Sequence, residues 1–366
     1  MKIFIIAGEA SGDWLGAKLI QQLRKIDSKV KLQIVGGKKM EAQGLESLFS
    51  SNELAIMGFA EVLPHIPRLR RRISETVEAI RKFKPDVLVT IDSPGFNFRV
   101  AAQLQDMRPT TKFIHYVAPT VWAYKPERAV KTAALYDKLL CILPFELPYF
   151  EEVDLDAKFV GHPIIEDGLD KGKAEAFKKR HNLDDFICMM PGSRKGELKR
   201  MLPVFEKITE KMNMKFVIIA ADYARFTLES TTKNWANPPL IIDNAEKIDC
   251  FAASRAGIIK SGTAGLEYAF AGKPFVIAYK VNPLSAYMLR RMIRINYANL
   301  VNIMLNAEVI PELLQEDCEA DYIIDNLMAT IAKPKELLDG CKKVIGMLHN
   351  DDGDMPSVAA AKEILS

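Results

Sequence analysis

The sequence predicts an α/β protein built from two doubly wound, Rossmann-like domains in tandem. Short apolar runs of strand length alternate with longer helical patterns, which is how strand–helix–strand units form a parallel sheet covered on both faces. The alternation runs once, crosses a charged stretch and restarts. The 366 residues exceed one ordinary core and suit two.

In the first half, residues 2–7, 32–36, 87–91, 113–117 and 138–143 read as strands, with helical stretches at 13–26, 71–83, 98–106 and 127–135. Residues 165–186 are charged and hold Gly168 and Gly172, so the domain junction falls near His162-Pro163. Strands resume at 187–190, 215–220, 239–242, 257–259 and 275–279. The expected domains are 1–164 and 165–345. A helical tail, 346–366, is expected to pack back on the first domain, its last helix (355–365) following the polar break Asn350-Asp351-Asp352-Gly353-Asp354.

Composition narrows the function classes. Apolar residues make up 49% and charged residues 27%, a globular balance. The net charge of +3, from 50 basic and 47 acidic residues, gives no footprint for a nucleic-acid binder. Cys141, Cys188, Cys250, Cys318 and Cys341 form no C-x-x-C pair and read as small buried hydrophobes. The five histidines show no metal-ligand spacing, so neither metal nor cofactor is expected. Residues 2–7 are too short a run for a signal peptide, and Glu9 and Asp13 follow at once. No apolar run approaches the roughly 18 residues that cross a bilayer.

In doubly wound sheets ligands bind beyond the carboxyl ends of strands, so motifs there carry most weight. Gly8-Glu9-Ala10-Ser11-Gly12-Asp13 follows the first strand and lets the backbone approach a ligand; it serves equally as a turn in which Ser11 or Asp13 caps a helix. It is neither a dinucleotide fingerprint nor a P-loop. Ile91-Asp92-Ser93-Pro94-Gly95 delivers Asp92 at a strand end, where a carboxylate can take a proton from a hydroxyl or simply brace the loop. His115-Tyr116-Val117-Ala118-Pro119-Thr120-Val121-Trp122 concentrates aromatics that stack on sugars or acyl chains, or pack on their own domain.

Pro191-Gly192-Ser193-Arg194-Lys195-Gly196-Glu197 opens a helix with backbone N–H groups and a fork-shaped cation, which suits a departing diphosphate; the bland alternative is an ordinary N-cap with Glu197 nearby. Lys260-Ser261-Gly262-Thr263-Ala264-Gly265-Leu266-Glu267 is a second small-residue turn, with Glu267 one helical turn in, where it could receive ribose hydroxyls or stand in solvent. Residues 65–72 and 284–294 mix arginines with apolar side chains, as an anionic lipid interface or a solvated helix face would.

With these residues in view, the chain resembles the lipid-A-disaccharide synthase family, bacterial glycosyltransferases of the bilobal GT-B type. The resemblance runs from Gly8-Glu9-Ala10-Ser11-Gly12-Asp13 through Glu53-Leu54-Ala55-Ile56-Met57-Gly58, Ile91-Asp92-Ser93-Pro94, Leu143-Pro144-Phe145-Glu146, Val160-Gly161-His162-Pro163, Pro191-Gly192-Ser193-Arg194 and Ser261-Gly262-Thr263-Ala264 to Glu312-Leu313-Leu314-Gln315-Glu316. It implies two domains facing a central cleft, an acceptor-binding first domain and a UDP-sugar-binding second one. It implies that UDP-2,3-diacylglucosamine donates its sugar to 2,3-diacylglucosamine 1-phosphate with inversion, giving the β-1,6-linked disaccharide 1-phosphate and UDP, without a metal.

Asp92 is then the expected general base, and Gly192, Ser193 and Arg194 hold the diphosphate. Ser261, Gly262, Thr263, Ala264 and Glu267 complete the nucleotide site. Gly8, Glu9, Ser11, Gly12, Asp13, Met57, Tyr116, Trp122, Asn302 and Gln315 are further expected substrate contacts. The chain departs from the family at Gly95, where many members carry an acidic residue. The resemblance also points to a homodimer in the cytoplasm, held peripherally on the anionic inner membrane by the basic stretches. Two other readings stay open here: a UDP-sugar epimerase or hydrolase of the same fold, and a non-catalytic UDP- or lipid-binding protein.

Overall fold

The computed structural model describes residues 1–54, 65–292 and 295–366. The chain forms two compact units: Met1–Glu166 with Leu348–Ser366, and Asp167–Met347.

Among the described residues, the first unit holds a seven-stranded parallel sheet in the order β3-β2-β1-β4-β5-β6-β7. The strands are β1 (Lys2–Ala7), β2 (Lys31–Gly36), β3 (Ser47–Ser50), β4 (Val87–Ile91), β5 (Lys112–Tyr116), β6 (Lys138–Cys141) and β7 (Asp156–Phe159). Ile5 of β1 is in register with Ile34 on one side and Val89 on the other. β1 and β4 are apolar almost throughout because a central parallel strand is covered on both faces. Ile3, Ile5 and Ala7 face one core layer, with Leu15, Leu19 and Leu23 of the helix Ala10–Ile26. Phe4 and Ile6 face the other, with Ile73, Val77 and Ile80 of the helix Ile66–Phe83. The edge strands β3 and β7 are half-exposed and polar in sequence, which hides them from an apolar-run criterion.

The C-terminal helix Pro356–Leu365 belongs to this unit. Its Ala359, Ala360 and Ala361 lie in the same core layer as the helix Ala10–Ile26, and their small side chains allow close packing. The Asn350 amide ties the preceding turn to the Val160 carbonyl at 2.9 Å, and the Ser357 N–H donates to Glu166 at 2.7 Å.

The second unit, among the described residues, holds a six-stranded parallel sheet in the order β10-β9-β8-β11-β12-β13. Its strands are β8 (Phe186–Met190), β9 (Lys215–Ala220), β10 (Leu240–Asp243), β11 (Ala256–Ile259), β12 (Phe275–Tyr279) and β13 (Glu312–Leu314). The charged stretch before β8 contains a helix, Ala174–His181, whose Phe177 is buried against Phe186 while Lys179 and Arg180 are exposed. The strand order reverses between β1 and β4 in the first sheet and between β8 and β11 in the second, so each unit has a crevice at the carboxyl ends of those strands. Among the described residues no helix is long and apolar enough to cross a membrane.

Candidate active site

In the first unit the reversal point brings together the segments after β1 and β4. Asp92 and Ser93 both lie in the left-handed region, at φ 48° and 44°, which non-glycine residues rarely adopt. The surroundings hold them there. The Asp92 N–H donates to the Tyr116 carbonyl at 2.9 Å, and the buried Asn97 amide donates to the carbonyls of Ile91 (3.1 Å) and Asp92 (2.7 Å). Pro94 fixes the start of the helix Pro94–Ala102, four residues earlier than the sequence pattern suggests, because proline suits a first helical turn. Val117, beyond β5, is a third left-handed residue at the same sheet edge, at φ 78°. Such clustered strain is characteristic of functional sites.

Ser93 Oγ donates to Glu9 Oε1 at 3.2 Å, joining the two loops. At Gly8 an added Cβ would lie 2.9 Å from Ser93 Oγ, so a glycine permits the crossing. Burial pushes the Asp92 carboxyl above the usual carboxylate range, and a hydrogen bond from the Ser93 backbone only partly offsets it.

The helix after β1 starts at Ala10, so Ser11, Gly12 and Asp13 form its first turn rather than a loop, with Glu9 at the N-cap. Ser11 is exposed, and Gly12 packs on Ala7 and Ile91. The Asp13 carboxylate is buried and accepts from the N–H groups of Gly37 (2.8 Å), Lys39 (3.0 Å) and Met40 (3.0 Å), so it caps the short helix Lys38–Glu41. Tyr116 is 1% exposed within the core layer under the C-terminal helix. Trp122 is half-buried, edge-on to Phe145, with its indole N–H donating to Glu146 at 3.3 Å. Burial raises the Glu146 carboxyl to about 7 despite N–H donors from Ile142 and Leu143. Met57 lies outside the described residues.

Sequence reasoning missed one buried cluster. His115 Nδ1 lies 2.7 Å from Thr90 Oγ1, which donates to the Tyr136 hydroxyl at 3.0 Å, and Phe98 packs on both rings. Burial lowers the His115 pKa to about 3, so the ring is neutral. Nothing local in the sequence signals this meeting of three separate segments.

In the second unit the turn after β8 is closed by the chain's own anion. Glu197 Oε2 accepts from the N–H groups of Ser193 (3.1 Å) and Arg194 (3.3 Å). Its Oε1 accepts from Lys260 Nζ (2.9 Å) and the Tyr279 hydroxyl (3.0 Å). Burial alone would raise this carboxyl, but the Lys260 ammonium and the two N–H donors outweigh it and bring the pKa to about 2. Gly192 sits at φ 101°, where a Cβ would come within 2.4 Å of Glu197. Two N–H groups of this turn therefore already serve Glu197, and the Arg194 residue that supplies one of them is exposed.

Beyond β11, Gly262 (φ 130°) leads into the helix Thr263–Ala269. Gly262 and Thr263 are exposed, Ala264 is half-buried, and Ser261 Oγ donates to the Ala298 carbonyl at 3.0 Å. Glu267 pairs with Lys247 at 2.9 Å. Asn302 is fully buried, its amide spent on Ile310, Glu312 and Val309, so it braces the approach to β13. Gln315 follows β13 at φ 53°. Among the described residues, no three His, Cys, Asp or Glu side chains gather as a metal site.

A family model described as lipid-A-disaccharide synthetase matches residues 3–362. The chain belongs to that family. It is a UDP-sugar glycosyltransferase of lipid A biosynthesis. Among its relatives, the lipid-A-disaccharide synthase of Rhodospirillum centenum is 42% identical over 377 residues, covering 100% of this chain and 94% of the relative. That of Rickettsia bellii is 42% identical over 381 residues, covering 99% and 98%.

Solved structures with the same fold include the UDP-GlcNAc 2-epimerase of Neisseria meningitidis bound to UDP-GlcNAc (TM-score 0.64, 14% identity, 100% of this chain and 98% of that one). A glycosyltransferase from Rickettsia africae is another (TM-score 0.58, 13% identity, the same coverage). These likenesses show the GT-B type fold of two doubly wound domains, and the family match, not the epimerase likeness, fixes the kind of enzyme.

Proposed function

We propose that the enzyme transfers 2,3-diacylglucosamine from UDP to the 6-hydroxyl of 2,3-diacylglucosamine 1-phosphate, with inversion. The observation that carries this reading is Asp92, a carboxylate with raised proton affinity held in strained backbone at the β1/β4 reversal point. Raised affinity makes it a better base for an acceptor hydroxyl. The acceptor oxygen forms a bond to the anomeric carbon as the bond to the UDP oxygen breaks; the proton goes to Asp92 and the electron pair leaves with UDP. One displacement inverts the anomeric centre. Arg194 is the fixed cation for the charge that develops on the diphosphate, beside the Lys260–Glu197 pair. Glu267 and the Ser261–Ala264 turn receive the nucleoside.

The substrates are lipids, so the enzyme works at the cytoplasmic face of an anionic membrane. Arg68, Arg70 and Arg71 are exposed on the helix Ile66–Phe83, and Tyr287 (54% exposed) carries Arg291 over its ring at 4.3 Å; both features support that reading. Arg72 is excluded from it, being paired with Glu53 and Glu75.

The test is UDP release from UDP-2,3-diacylglucosamine by the purified enzyme in detergent with EDTA, with and without the acceptor. Release only with acceptor, together with a disaccharide phosphate, is expected. Release without acceptor would replace the reading with a hydrolase or epimerase chemistry.

A further inference from the structure

We infer that the groove between the helices Pro94–Ala102 and Arg128–Leu135 is a phosphomonoester site that holds the 1-phosphate of the acylated acceptor sugar. This rests on the acceptor proposed above and adds where its charged end is read. The groove encloses about 500 Å³, a volume suited to a small ligand. Arg99, Lys125, Arg128 and Lys131 line it over a floor that includes Phe98 and Leu135. Among the described residues no acidic side chain lines it.

What distinguishes this place is that four cations, from two helices and the turn before the second, gather on one apolar wall. Elsewhere in the same unit Arg72, Arg81 and Arg108 each pair with a carboxylate. Among the described residues none of the four groove cations forms an ion pair. The Arg99 guanidinium donates to the Gly95 carbonyl, and Lys125 and Arg128 lie over the Tyr124 ring at 5.0 and 5.5 Å. Like charges collected on an apolar wall repel one another and attract a multivalent anion strongly, because field lines concentrate where the wall is of low dielectric. A phosphate monoester carries nearly two charges at neutral pH and three acceptor oxygens, which suits cations arriving from two helices.

The groove also stands where this acceptor needs it. Pro94 and Gly95 line it, and Gly95 lies three residues after Asp92, within about 11 Å along the chain. At Gly95 an added Cβ would find nothing nearer than Arg99 at 3.9 Å, so that side of the groove is open. A sugar whose 6-hydroxyl meets Asp92 can therefore direct its opposite, phosphorylated end into the groove.

The experiment compares the full-length enzyme with Arg128→Ala/Lys131→Ala on two acceptors, 2,3-diacylglucosamine 1-phosphate and the same lipid without phosphate. Circular dichroism checks folding, and Arg128→Lys serves as the charge-retaining variant. The wild type is expected to prefer the phosphorylated acceptor by about tenfold to a hundredfold in kcat/KM. The double variant should lose most of that preference through KM for the acceptor, with KM for the UDP-sugar unmoved, and Arg128→Lys should keep most of it. A double variant with the full preference overturns the inference. So does one that keeps the preference and instead loses binding to phosphatidylglycerol vesicles, which would make the groove a membrane contact. If the wild type forms no disaccharide with either lipid, the proposed reaction fails on its own. The groove is then judged by binding of the radiolabelled phosphorylated lipid in micelles, where a double variant that binds as tightly as wild type overturns the inference and one at least tenfold weaker sustains it.

Discussion

Replacing Glu197 by Gln removes one negative charge and leaves the shape nearly unchanged. The carboxylate is 3% exposed and accepts four hydrogen bonds, from Ser193, Arg194, Lys260 and Tyr279. A carboxyl whose pKa falls from 4.5 to about 2 on folding contributes roughly 3 kcal/mol at neutral pH, at 1.36 kcal/mol per unit. Removing one partner of a buried pair costs about 3–5 kcal/mol, and the Lys260 side chain, 24% exposed, recovers some hydration, which favours the lower end.

The sign follows from the direction of the shift. A depressed pKa gives stability that is fully present above 4.5 and is lost as pH falls toward about 2. Urea unfolding of both proteins at pH 7 and at steps down to pH 3 measures this. At pH 7 the variant midpoint should drop by on the order of 1 M, and the gap should narrow below pH 4.5. Equal midpoints at pH 7 would refute the view that Glu197 closes this turn. A gap that stayed constant to pH 3 would refute its electrostatic origin.

Three further outcomes are expected. Asp92→Asn should lower kcat by about 10²- to 10⁴-fold, and wild-type activity should fall with acid at a pH above the usual carboxylate range, because the base must be ionised; thermal unfolding of the variant should match or exceed wild type, since burial penalises the carboxylate. Arg194→Ala should retain its circular dichroism spectrum and lose on the order of a hundredfold or more in turnover. Glu146→Gln tests the opposite linkage: a carboxyl raised to about 7 favours the fold below 4.5 and loses that contribution as pH rises through 7, so the variant should flatten the pH dependence of stability between those values, with roughly 3 kcal/mol at stake.

The sequence by itself determined the fold class and which motifs stand at the carboxyl ends of the central strands. β1, β4, β8 and β11 are central parallel strands, covered on both faces, so each announces itself as an apolar run, and the glycine- and carboxylate-bearing motifs follow those runs directly. Edge strands such as β7 stayed hidden because half of each faces water and carries Asp156 and Lys158.

What only the tertiary structure decided is which partner each polar group finds. Asp13 stands in a ligand-loop motif, yet its carboxylate caps a helix 24 to 27 residues away, and the anion in the Gly192 turn is Glu197 held by a lysine 63 positions on. Tyr116 and His115 are neighbours in an aromatic motif, yet strand alternation sends one into each core layer, and His115 meets Thr90 and Tyr136 there. The four groove cations are spread over residues 99 to 131 and converge because the helices Pro94–Ala102 and Arg128–Leu135 follow the neighbouring strands β4 and β5 of one sheet, with Lys125 just before the second helix. A local pattern records how much of a segment is buried. It does not record which distant groups the packed layers bring within hydrogen-bonding reach, because register and helix packing fix those distances only once the sheet has formed.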